Sequence, residues 1–116
     1  MRIGIDATAL PPKPAGAGNY IIELVRAVHT LDCPHEFIIF AQQHGLELIG
    51  SPARDGFEWI SLPNHSPARR LIWEQIGFPE LLKKQRIDLL HSLHYTRPLR
   101  LACRSIVTIH DMTFFL

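Results

Sequence analysis

The sequence predicts an α/β fold: an open parallel sheet with helices on both of its faces. Three observations lead there. Short apolar runs alternate with stretches of helical spacing along the 116 residues. "HEFIIFA" (His35 to Ala41) is apolar without alternation, as a parallel strand covered on both faces is. "SIVTIHD" (Ser105 to Asp111) is rich in β-branched residues and predicts the last strand.

The elements follow in order. "RIGID" (Arg2 to Asp6) predicts a short first strand. "PPKPAGAGNY" then joins three prolines to two glycines, and a helix is expected from about Gly18 to Thr30. Tyr20, Ile21, Leu24, Val25 and Val28 recur at helical spacing and predict its buried face, with Asn19, Glu23, Arg26 and Thr30 opposite. After the second strand, "QQHGLELIGSPARDG" predicts a loop region. "FEWISL" (Phe57 to Leu62) alternates large apolar with polar side chains, which suits a strand. Ser66 as N-cap and Pro67 as first helical residue predict the start of another helix. Leu71, Ile72 and Ile76 are its expected inner face, and Pro79 is expected to break it and open a shorter helix. "IDLLHS" (Ile87 to Ser92) predicts a further strand. The apolar "MTFFL" end follows the last strand without a covering helix, which predicts a chain cut within its fold and an end prone to self-association.

Bulk composition bounds the function. An apolar fraction of 47%, a charged fraction of 20% and a net charge of +1 describe one globular domain over residues 1–116, and give no footprint for nucleic acid. Cys33 and Cys103 form neither a disulfide framework nor a paired metal motif. "MRIGID" reaches an acid too early for a secretion signal, and no apolar run has the length of a membrane span. The expected setting is cytoplasmic.

In an open parallel sheet, ligands bind beyond the carboxyl ends of the strands. Three such ends carry chemistry. Gly16 and Gly18 offer bare backbone at a helix start, where main-chain N–H groups favour an anion. "HSLHY" (His91 to Tyr95) and "HD" (His110, Asp111) close two later strands. A dinucleotide fingerprint is rejected, because nine residues separate Asp6 from Gly16 and Ile21 stands where a third small residue belongs. His91, His94, His110 and Asp111 are metal-ligand types, but H-x-x-H passing from strand to loop does not aim both rings one way. Arg69, Arg70, Lys83, Lys84 and Arg86, with Trp73 and Phe78 interleaved, read either as a solvated helix face or as a patch for anionic lipid or a phosphorylated acceptor. Arg97, Arg100 and Arg104 precede the last strand.

"MRIGIDATAL…GAGNYIIELVRAV", "RLIWEQIGFPELLKKQRIDLLHSLHYTRPL" and "SIVTIHDMTFF" together resemble the N-terminal domain of glycosyltransferase family 4. The resemblance runs through nearly the whole chain, in order. It implies a Rossmann-like sheet forming the acceptor-side half of a GT-B enzyme, with the C-terminal donor domain absent from this chain. The implied activity is retaining, metal-independent hexosyl transfer from a nucleotide-sugar donor to a glycan or lipid-linked acceptor, without a cofactor. Polysaccharide assembly, with peripheral contact at the inner membrane face, is the implied setting.

The same resemblance implies site residues. Gly16, Ala17, Gly18 and Asn19 form the loop approaching the donor diphosphate or acceptor. Many relatives carry a basic residue where this chain has Asn19. His94 and Tyr95 line the cleft, His110 orients the transferred sugar and stabilises transition-state charge, and Asp111 follows it in the motif. Transfer needs donor and acceptor held together, so this chain alone is expected to be inactive. The alternatives are a free-standing module that binds a glycan or pairs with a separate donor domain, and a metal-dependent hydrolase.

Overall fold

A computed structural model describes residues 1–50 and 55–109. His110, Asp111 and the "MTFFL" end lie outside the described residues. The chain runs β1 (Arg2–Asp6), α1 (Gly16–His29), β2 (Glu36–Gln42), α2 (Gln43–Ile49), β3 (Phe57–Leu62), α3 (Pro67–Lys84), β4 (Leu89–Ser92) and β5 (Arg104–Val107). The strands form one sheet in the order β3-β2-β1-β4-β5, all parallel, a Rossmann-like arrangement.

Strand alternation divides the core into two layers. On one face Ile5, Phe37, Ile39, Ala41 and Phe57 pack against Ile21, Ile22 and Val25 of α1 and Ile49 of α2. On the other, Ile38, Phe40 and Leu90 pack against Phe78 and Leu82 of α3. β2 is the strand covered on both faces, as its unbroken apolar run predicts, and Phe37 to Gln42 are all buried. Helices do cover both faces.

Four expectations are corrected. The segment after β2 begins with a helix, α2, closed by Gly50 in the left-handed conformation at φ 95°. Buried Gly45 and Ile49 hold this short helix to the sheet, so packing rather than propensity forms it. α1 starts at Gly16, two residues early, and buries Ile22 while leaving Tyr20 exposed. α3 runs unbroken through Pro79, whose ring is buried beside Phe78; that burial carries the helix past its missing N–H. Leu71, Ile72 and Ile76 face outward, and the inner stripe is Arg70, Glu74, Phe78 and Leu82, one residue per turn.

The Ser66 cap and Pro67 start stand as read. Ser66 Oγ accepts the Arg69 N–H at 3.3 Å.

Candidate functional site

The chain lays β1, β2 and β3 side by side in one direction, then crosses through α3 to set β4 on the other side of β1. Strand order reverses between β1 and β4, and the loops beyond their carboxyl ends diverge there. Such a divergence opens a crevice.

Two adjoining cavities lie along these carboxyl ends, and the smaller one occupies the β1/β4 crevice. The larger, about 510 Å³, lies between the Thr8 to Pro12 loop after β1 and the segments after β2 and β3, which bring Gln42, His44, Asn64 and His65. The smaller, about 290 Å³, is lined by Leu71 and by His94, Tyr95 and Thr96 after β4. Ala9, Pro67 and Arg70 line both. Among the described residues, Arg70 is the one Lys or Arg side chain lining either.

A buried polar network holds Arg70. Its Nη1 donates to Thr8 Oγ1 at 3.0 Å, and Thr8 Oγ1 donates to Asp6 Oδ1 at 2.5 Å. Its Nη2 donates to Thr96 Oγ1 at 3.4 Å, and Thr96 Oγ1 donates to Glu74 Oε1 at 2.9 Å. Each threonine hydroxyl thus accepts from the guanidinium and donates to a carboxyl group. Nη1 also meets Glu74 Oε1 directly, at 3.4 Å, one helical turn away. Gln75 fastens the next loop to α3: its amide donates to Arg97 O and its carbonyl accepts from Leu99 N. These contacts tie β1, α3 and the β4–β5 loop together beneath the crevice.

Burial pushes the Asp6 carboxyl above the usual carboxylate range. The Thr8 hydrogen bonds and the nearby Arg70 oppose that rise without cancelling it. On the far side, Gln42 Nε2 donates to Thr8 O, and Gln42 Oε1 accepts from His65 N, both at 2.6 Å. His44 sets Nδ1 2.8 Å from Asn64 Oδ1 and Nε2 2.6 Å from Leu10 O, bracing the proline loop. His65 Nδ1 is buried without a partner among the described residues.

The structure brings some of the sequence-predicted residues to the crevice. His94 and Tyr95 lie on the wall of the smaller cavity, their rings edge to face at 4.6 Å. Tyr95 sits at φ 57° in a three-residue turn closed by Thr96 N to His94 O at 2.6 Å. Holding tyrosine in that conformation costs of order 1 kcal/mol or more. His91 does not join the pair. It bonds Thr108 Oγ1 at 2.8 Å, and burial lowers its pKa. Among the described residues no three His, Cys, Asp or Glu side chains gather as metal ligands.

Gly16, Ala17, Gly18 and Asn19 form the first turn of α1, and none lines either cavity. No side chain caps that turn. Gly18 has a packing reason to be glycine: a Cβ there would lie 2.9 Å from the Pro14 Cβ. A Cβ on Gly16 would meet nothing within 4 Å. The stiff proline segment is thus laid against a bare helix start.

Arg70 was a sequence candidate only as part of an α3 basic patch, whereas the structure buries it at the crevice; Glu74, Thr8, Thr96 and Gln42 were not among the candidates. Their signal was present as the four-residue step from Arg70 through Glu74 to Phe78 and Leu82, a pair of opposite charges in line with two core residues. No helix among the described residues is long and apolar enough to cross a membrane. Compared with models of known protein families, with curated proteins and with solved structures, the chain matches none.

Proposed function

We propose that this domain forms the acceptor-side wall of a sugar-transferring enzyme and holds a saccharide acceptor in the β1/β4 crevice. The observation that carries the reading is the position of His94 and Tyr95 on that crevice wall. Tyr95 offers a ring with an apolar face and a polar tip, which suits the mixed surface of a sugar. Its strained turn fits a residue kept for what it touches. The resemblance adds the reaction: transfer from a nucleotide sugar with retention, in which a donor domain supplies the facing wall. In this reading His110 orients the transferred sugar, and Asp111 follows it in the motif.

Ligand-observed NMR with a panel of oligosaccharides and nucleotide sugars tests the proposal. The expected result is saccharide binding that Tyr95→Ala weakens roughly tenfold or more, the loss of a well-packed aromatic contact, with the fold retained. Incubated alone with any nucleotide sugar and acceptor, the chain is expected to transfer nothing. Failure to bind any saccharide, or binding indifferent to Tyr95, would overturn the reading.

A further inference from the structure

A guanidinium has five N–H donors. Arg70 uses three: two on Nη1, toward Thr8 and Glu74, and one on Nη2, toward Thr96. Its remaining Nη2 donor and its Nε–H have no acceptor among the described residues. The occupied donors share one end of the group, because Thr96 Oγ1 and Glu74 Oε1 bond each other at 2.9 Å. The open donors therefore form the side edge, Nε with Nη2. That edge grips two oxygens of one group in the bidentate manner.

The placement is as specific as the chemistry. Arg70 is 9% exposed, yet it lines both cavities. Its direct contact to Glu74, at 3.4 Å, is longer than the 2.7–2.9 Å usual for a charge-assisted bond. The positive charge is thus held in place without being tightly neutralised. Thr8 and Thr96 fix the plane of the guanidinium from two different loops, so little side-chain freedom remains to be lost on binding. His65 also lines the larger cavity, and its buried Nδ1 has no partner among the described residues. Among the described residues no Asp or Glu side chain lines either cavity.

We propose that Arg70 is an oxyanion anchor: its open edge takes two oxygens of a phosphoryl or carboxylate group carried by a ligand that lies across the two cavities. The anchor goes beyond sugar binding and stands without it. Glu74 and the two threonines act as positioning residues that hold the edge toward the cavities.

The test is made on the wild-type chain, by following arginine side-chain Nε–Hε resonances while inorganic pyrophosphate or, separately, glucuronate is added. The Arg70 resonance is expected to move saturably with one of the two. Pyrophosphate would mark a phosphoryl ligand and glucuronate a carboxylate. No movement with either probe up to about 10 mM, or equal movement at Arg69, Arg97 and Arg100, overturns the proposal. Arg70→Lys keeps the charge but loses the fork, and is expected to weaken binding roughly ten- to a hundredfold. Should that variant unfold, the wild-type titration decides alone, with Arg70 assigned through its backbone neighbours. Saccharide binding with a silent Arg70 would overturn this anchor and leave the sugar reading standing. An Arg70 that responds to pyrophosphate with no saccharide binding would do the reverse.

Discussion

Replacing Glu74 by alanine removes the carboxylate that faces a buried guanidinium. Glu74 is fully buried, and the Arg70 side chain is 10% exposed. Breaking one side of a buried ion pair costs about 3–5 kcal/mol, because the other charge stays behind. Arg70 lines both cavities and can hydrate there, so the low end applies: about 3 kcal/mol. That is a large share of the ~5–15 kcal/mol that holds a domain together, and about 12 °C in Tm for a chain of this size. Thermal and urea unfolding followed by circular dichroism measure it. Arg70→Met with Glu74→Leu removes both charges and is expected to recover most of the loss. The exposed Lys83–Glu80 pair, at 59% and 77% exposure, is the control. There Glu80→Ala is expected to cost less than about 1 kcal/mol. A Glu74→Ala cost as small as the control's, or a double variant no better than Glu74→Ala, would refute the reasoning.

Three further outcomes are expected. Gly18→Ala should lose about 1–3 kcal/mol by overpacking against Pro14, while Gly16→Ala gains about 0.5–1 kcal/mol in open space; urea midpoints separate them, and equal effects would sink the packing argument. The Asp6 carboxyl has a raised folded pKa, so its stabilising contribution is complete below about pH 4 and lost as pH rises through the folded value. Asp6→Asn should therefore be more stable than the wild type at pH 7 and hold no advantage near pH 4. Parallel stability profiles would contradict the direction of the shift. Arg86 follows α3 at φ 56°, and Arg86→Gly should gain up to about 1 kcal/mol in unfolding free energy; a loss would show that its side chain matters more than its backbone.

Where one signal ruled, the fold was legible. The apolar run of β2 and the Ser66-Pro67 start of α3 are local patterns; the helix start lies where the sequence puts it, and β2 is shifted by one residue. The misreadings are all cases in which packing outweighed a local rule. Pro79 stays helical because its ring is buried with Phe78, and α2 exists because the sheet receives Ile49. The inner face of α3 was misassigned because Arg70 and Glu74 look solvated until Thr8 and Thr96, distant in sequence, are known to meet them. His94 and Tyr95 could be placed at a strand end from sequence alone. The rest of the site is made by pairs such as Arg70 with Thr8, 62 residues apart, which no local pattern reports.

The reversal of strand order also sets a timetable. β1 is synthesised first, yet its second edge is covered only by β4, and Arg2 reaches its hydrogen-bond partner Asp88 across 86 positions. At about 5–20 residues per second, some 2–9 s pass between the completion of β2 and the start of β4. During that interval the central strand carries an open row of N–H and C=O groups, a template for pairing with another nascent chain. Non-local pairing of this kind also slows refolding. The buried Arg70 can meet Thr8 early but finds Thr96 only after β4, so the smaller cavity takes shape only as the sheet closes.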